Sequence, residues 1–359
     1  MTRATLRRRR AAAQLLGGKR TDLAAAVRHL LAVQAQDPRA ARLALRARGA
    51  AARPAEVDAA LTDDRSLVAG WLLRGTLHLV MRDDYAWLHS LTAPISAATS
   101  RRRLAQLGAS LDDALPVIRD SLAEEGPLAR AEIAERIAAA GLRAEGQIVP
   151  HLLALAAAER HVVPGPVVEG SQRFALARDW LGPPTAPPPR EVALAELARR
   201  YVRGHGPATE ADLAAWSGLS LRDVRAGLAA VAGELRQDGE LVDLAERSDP
   251  PRRAPARLLP AFDPYLLGWR DRSFAVDAQH ARAVHPGGGI VRATAVADGR
   301  VLGTWSRRRG HVEVEPFAPL PARVRSSLRR DAADVERFQA ATDGRIEKRP
   351  DLPQTRSAG

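Results

Sequence analysis

Residues 67–81 read LVAGWLLRGTLHLVM, two apolar runs separated by Arg74-Gly75. Such a pattern predicts two strands joined by a tight turn. Helical segments precede it. Thr21-Asp22 reads as an N-cap for a helix over 22–33, residues 39–48 are helical again, and Pro54 opens a third, short helix. Helices followed by a β-hairpin make a winged helix-turn-helix pattern, and Asp83-Asp84 then caps a further helix, YAWLHSL.

The same order returns downstream. A helix over 111–124 is broken by Gly126-Pro127, LARAEIAERIAAAG (128–141) has helical spacing, and 148–160 makes another helix. HVVPGPVVEGSQRFAL (161–176) then alternates and turns at Gly165-Pro166 and Gly170. LGPPTAPPPR (181–190) is a proline-rich linker. Beyond it come helices over 191–202 and 221–235 and two strand-like pieces, LRQDG and ELVDLA. Gly126-Pro127 and Gly206-Pro207 each follow a helix and precede a short one, an internal repetition that suggests tandem modules. A second linker spans 248–255. From residue 256 the helical signal fades into short strands joined by DG and RRRG turns, which predicts a small β-barrel or curled sheet. A closing helix is expected over 320–341 and an unstructured tail after it; the Arg-rich residues 1–20 are expected to fray at their start. The predicted fold class is mainly α with β. It comprises tandem winged helix-turn-helix modules over 1–102, 103–190 and 191–250, and a small C-terminal β-barrel over 251–359.

Composition narrows the chemistry. Of 359 residues 46% are hydrophobic but only 4% aromatic, so the core must be Leu, Ala and Val, which favours helices. No run of about 18 apolar residues is present, and MTRATLRRRR leads into a poor signal-peptide core. A cytoplasmic, nucleoid-associated protein with no membrane partner is expected. The absence of cysteine excludes disulfides, thiolate zinc sites, iron–sulfur clusters and a cysteine nucleophile. No serine-triad motif, P-loop, GxGxxG after a strand or HExxH occurs, so no metal or cofactor is expected. The formal net charge of +12 points to a polyanion, most simply nucleic acid; an Arg- and Ala-rich coding bias is the other reading, and the presence of only Lys19 and Lys348 fits it.

Several residues stand out as candidates. Gln34 and Gln36, in LAVQAQDPRA (31–40), flank Ala35 and run into Asp37-Pro38. Taken alone, two amides at a helix junction read as partners for loose backbone groups. His78 lies on the strand face opposite Leu77 and Leu79, as a polar or core-filling residue or a DNA contact. Gly287-Gly288-Gly289 is too bare for a phosphate loop and reads as a hinge before a hairpin. Arg101-Arg102-Arg103 and Arg307-Arg308-Arg309 are solvated charge runs or phosphate contacts, the second on a hairpin able to enter a groove.

Four blocks, in order and spread over nearly the whole chain, carry a family resemblance. LAVQAQDPRAARLALRAR, WLLRGTLHLVMRDDYAWL, LLPAFDPYLLGWRDR and HPGGGIVRATAVADGRVLGTW together resemble the AlkZ/YcaQ-type winged-helix DNA glycosylases. The resemblance implies tandem winged helices with a C-terminal β-barrel, and a catalytic glutamine–apolar–glutamine motif matching Gln34-Ala35-Gln36. It also implies removal of N7-alkylated purines from double-stranded DNA, in some members with unhooking of interstrand crosslinks or self-resistance to genotoxic natural products. A hairpin over roughly 290–314 is implicated in DNA contact, with Arg39, Arg74, His78, Arg292, Arg307, Arg308 and Arg309 as DNA-binding candidates. With so little lysine, the expected enzyme is a monofunctional glycosylase leaving an abasic site; a monomer is expected. The competing readings are a non-enzymatic winged-helix regulator and an adaptor with degenerate modules.

Overall fold

The computed structural model describes residues 1–250 and 253–343; the expected tail (344–359) and part of the second linker lie outside the described residues. The hairpin over 67–81 is present as β2 (Leu67–Trp71) and β3 (Leu77–Met81), preceded by α1 (Arg3–Ala13), α2 (Leu23–Leu30), β1 (Val33–Gln34), α3 (Pro38–Ala47) and α4 (Pro54–Thr62). Asp22 caps α2, its carboxylate accepting from the Ala25 amide at 2.9 Å. The helix predicted to reach residue 33 stops at Leu30, because Leu31 adopts a left-handed φ of 68°. That break frees Val33 and Gln34 to pair antiparallel with β3, giving the sheet order β1-β3-β2. Asp37 caps α3 by accepting from the Arg39 and Ala40 amides, with Pro38 in the first helical position.

A 25-residue helix, α5 (Arg82–Gln106), carries Pro94 inside it and leads to α6 (Leu111–Glu125). There follow β4 (Leu128–Ala129), α7 (Arg130–Ala139), α8 (Ile148–Ala158) and the hairpin β5 (Val162–Val168)–β6 (Ser171–Leu176), with sheet order β4-β6-β5. After α9 (Ala177–Leu181), a third group comprises α10 (Arg190–His205), α11 (Glu210–Ser217), α12 (Leu221–Ala230), β7 (Leu235–Asp238) and β8 (Leu241–Leu244).

The N-terminal lead does not fray. Thr2 caps α1, and Arg10 is buried with its Nε donating to the Pro207 carbonyl at 2.9 Å and its guanidinium over the Trp269 and Phe274 rings. These long-range partners hold a helix that composition alone would leave loose.

The C-terminal region contains β9 (Arg257–Leu259), α13 (Pro264–Leu267), α14 (Ala281–Val284), β10 (Thr294–Ala297), β11 (Arg300–Arg308), β12 (His311–Pro316) and α15 (Ala322–Asp343). Its four strands form an open sheet, β12-β11-β10-β9; of the two forms expected, a small barrel or a curled sheet, the barrel is not present. Closure would require the two edge strands to pair. Here α15 covers them instead: Asp331 accepts from the Leu258 amide and Glu336 from the Val312 amide, each at 2.7 Å. The sheet is fastened to the N-terminal half by Arg48, at the end of α3, which makes a fully buried two-pronged ion pair with Asp263 at 2.9 and 3.0 Å.

Candidate active site

Gln34 and Gln36 come together at the end of β1, the Gln34 Nε2 donating to Gln36 Oε1 at 3.2 Å. Gln34 is buried and Gln36 exposed, so the pair runs from the protein interior to its surface. Arg74 Nη2 donates to the Gln34 Oε1 at 3.5 Å. A guanidinium only donates, so the Gln34 atom facing it must be the carbonyl oxygen; its NH2 is thereby turned to Gln36. One cation therefore sets the orientation of both amides. The Gln36 Oε1 keeps a further lone pair beyond the one that Gln34 engages.

Arg74 is itself held firmly. It adopts a left-handed φ of 55° in the turn between β2 and β3, and Gly75 beside it has a φ of 70°. Its Nη1 donates to the Trp216 carbonyl and to that of Ala215 at 3.4 Å, two of the unpaired carbonyls at the end of α11. A cation at a helix C-terminus also interacts favourably with the helix dipole. Gly218, which ends α11 with a φ of 81°, lets that helix approach: a Cβ there would lie 3.3 Å from the Arg74 amide nitrogen. Burial, followed by the neighbouring charge of Arg272, lowers the Arg74 pKa.

His78 lies directly opposite Gln34 in the β1–β3 register. The Ala35 amide donates to the Leu77 carbonyl at 2.7 Å, so Gln34 and His78 form the non-hydrogen-bonded pair, in which side chains approach most closely. The imidazole is buried, and its Nδ1 donates to the Thr76 carbonyl at 2.8 Å. Desolvation, reinforced by Arg74, depresses its pKa to about 3. At neutral pH His78 is thus uncharged, with the lone pair on Nε2. The one carboxylate adjacent in sequence, Asp37, has its Oδ1 engaged in capping α3.

The remaining candidates lie elsewhere. Arg39 is exposed in the first turn of α3, immediately after the glutamines. Arg292 is exposed, with Nη1 donating to the Ala283 carbonyl at 3.3 Å, and Arg307, Arg308 and Arg309 occupy the tip of the β11–β12 hairpin. The structure brings together Gln34, Gln36, Arg74 and His78; Arg292 and the hairpin arginines lie on other elements, before β10 and at the β11–β12 turn. Sequence reading did not anticipate the α11 carbonyls behind Arg74. Gly218 after a helix signals a left-handed cap, yet nothing local names the residue that docks against it. Among the described residues no group of three or more His, Asp or Glu residues is placed to hold a metal ion, and no helix is long and apolar enough to cross a membrane.

Comparison with known proteins matches the chain to one family. The sequence pattern described as DNA glycosylase AlkZ-like covers residues 27–338. The interstrand DNA cross-link repair glycosylase of Streptomyces sahachiroi is 29% identical over 342 residues, covering 87% of this chain and 89% of that protein. The solved structure of the S. sahachiroi DNA glycosylase AlkZ superposes with a TM-score of 0.77 at 23% identity, over 95% of this chain and 97% of that one, and so shares its fold. With its family pattern running through the glutamine pair, Arg74, His78 and the C-terminal sheet, the chain belongs to the AlkZ-like DNA glycosylase family.

Proposed function

We propose that the chain hydrolyses the N-glycosidic bond of N7-alkylated guanine in double-stranded DNA and leaves an abasic site, with Gln34 and Gln36 as the catalytic pair. The observation that carries this reading is the hydrogen-bonded row Arg74–Gln34–Gln36 beside a neutral His78. Alkylation at N7 makes the base cationic, so it departs with little help from an acid. Bond breaking then builds oxocarbenium-like charge on the sugar, as in other glycoside cleavage. Fixed amide carbonyls stabilise that charge and orient water without titrating. Glutamine is a poor base, which confines the reaction to substrates already activated and spares normal purines.

The helix–hairpin groups support the DNA-binding half of the reading. Taken as winged helices over 1–102, 103–190 and 191–250, they offer several surfaces for a duplex, with Arg39, Arg292 and the 307–309 arginines as phosphate or groove contacts. The name of the S. sahachiroi relative adds interstrand cross-linked DNA to the substrates worth testing. Lys19 is the only lysine among the described residues, which supports hydrolysis over a Schiff-base lyase route. The deciding experiment incubates the protein with a duplex containing N7-methylguanine and reads abasic sites by hot-alkali scission. Strand breaks at the lesion are expected; a protein that binds the duplex normally yet yields none overturns the proposal.

A further inference from the structure

A cleft of about 590 Å³ has Gln36 on its rim. Its lining comes from different parts of the chain, Trp71 and Leu79 of the first hairpin together with Val149, Leu153 and Phe174 of α8 and β6. The Trp71 and Phe174 rings are stacked, with centroids 6.0 Å apart and planes 12° from parallel. Small residues, Ala134 on α7 and Ala144 before α8, hold the space open. Among the described residues no carboxylate lines it. Of its two arginines, Arg42 is neutralised by Asp58 and also donates to the Pro38 carbonyl at 2.6 Å, while Arg130 is exposed.

The size and lining of this cleft say what suits it. Sites for drug-sized ligands span roughly 300–1,000 Å³, so a methyl group alone leaves most of it empty. A purine ring held inside would set its Watson–Crick edge against a mostly apolar lining, with Gln36, Ser171 and Gln172 as its uncharged polar side chains, and buried polar edges are costly when unpaired. A planar apolar group meets no such cost and finds aromatic faces. The geometry points to this cleft as a subsite for an aromatic substituent carried on N7 of the guanine being excised, with the Trp71–Phe174 pair as its apolar wall and Ala134 and Ala144 setting the size it accepts. The inference rests on Gln34 and Gln36 being the catalytic pair, because Gln36 is what joins the cleft to the chemistry.

The test compares kcat/KM on two otherwise identical duplexes, one with N7-methylguanine and one with N7-benzylguanine. Wild type is expected to favour the benzyl lesion. Ala134→Trp on α7 and, on a separate segment, Ala144→Trp fill the cleft, and each is expected to lower the benzyl-to-methyl ratio at least tenfold. Ala134→Leu, a smaller filling that disturbs the fold less, is expected to give an intermediate ratio. A ratio unchanged in all three variants, or both substrates falling in parallel, overturns the subsite while leaving the glycosylase reading intact. Wild type inactive on both duplexes overturns the two together.

Discussion

Arg74 couples Gln34 to the end of a helix more than a hundred residues away: the same guanidinium that donates to Gln34 Oε1 at 3.5 Å also donates to the Ala215 and Trp216 carbonyls of α11. Its charge therefore serves as a positioning device, anchored at one end and directing an amide at the other. This differs in consequence from a phosphate contact, and the two roles separate experimentally.

Arg74→Met is expected to lower kcat by about 10²-fold, the scale of loss when a reacting group is misplaced by about an ångström. Arg74→Lys recovers only part of that, since a single ammonium cannot reproduce the fork. Duplex affinity and its salt dependence are the discriminating readouts. A residue that contacts phosphate lowers the slope of log K against log salt by about one when removed, and here the slope is expected to stay put. A reduced slope with unchanged kcat returns Arg74 to the DNA surface.

Gln34→Ala and Gln36→Ala are each expected to cost about 10²–10³ in kcat, by analogy with loss of one oxyanion-hole donor. The double variant falls short of the product, because Gln36 is oriented by Gln34 and the two act as a unit. Acidic replacements test the direction of the hydrogen bond. Gln36→Glu keeps an acceptor for Gln34 and is expected to retain activity within about tenfold. Gln34→Glu loses the N–H that faces Gln36 and is expected to lose much more. Equal tolerance at both positions removes the assigned direction.

Protonation gives a third test. Burial depresses the folded-state pKa of His78 and of His205 to about 3 from 6.5. Between those values the unfolded chain binds protons that the folded chain does not, so stability falls as pH drops from about 6.5 towards 3 and is unaffected by these groups above that window. Two fully buried imidazoles make the loss several kcal/mol in total, at about 1.4 kcal/mol per pKa unit per group, before any relaxation of the fold. Tm measured from pH 7 to 4 is expected to decline, and less steeply in His78→Gln. A kcat profile that breaks near 6.5 and loses that break in His78→Gln shows instead that His78 titrates at its ordinary value.

How much of this was legible in the sequence follows from the range of the forces involved. The hairpin over 67–81 and the cap at Asp22 were readable because strand alternation and capping are local. The glutamines stood out as residue types, but their setting did not. Two residues make no periodic signal, so β1 was hidden, and its existence depends on the left-handed turn at Leu31 and on pairing with β3 some forty residues on. Which of the two expected forms the C-terminal strands take, barrel or unclosed sheet, was equally hidden. Strand-forming segments do not reveal whether edges close on one another, and here Asp331 and Glu336, on a helix that follows the sheet, satisfy the edge amides. The α11 carbonyls behind Arg74 belong to the same class of fact: a cap glycine is a local signal, its docking partner is not.

The tip of the β11–β12 hairpin carries the last prediction. Arg308 pairs with His311 across a two-residue turn, Arg309-Gly310, in which both residues have positive φ, 49° and 88°. A turn of that kind follows the twist of its strands and holds the tip rigid. Arg308 Nε lies 3.5 Å from Glu313 at an exposed site, a pair worth too little to keep the guanidinium from a phosphate. A rigid, cationic hairpin suits a duplex groove. Arg308→Ala and Arg309→Ala are each expected to weaken duplex binding and to lower its salt slope by about one, with the kinetic effect appearing in KM. Gly310→Ala forces a Cβ into a left-handed position and is expected to weaken binding without removing any charge, leaving the slope intact. Were the arginine variants to leave both affinity and slope at wild-type values, the hairpin would have no part in DNA contact, and the basic residues nearer the glutamines, Arg39 first, would have to hold the duplex.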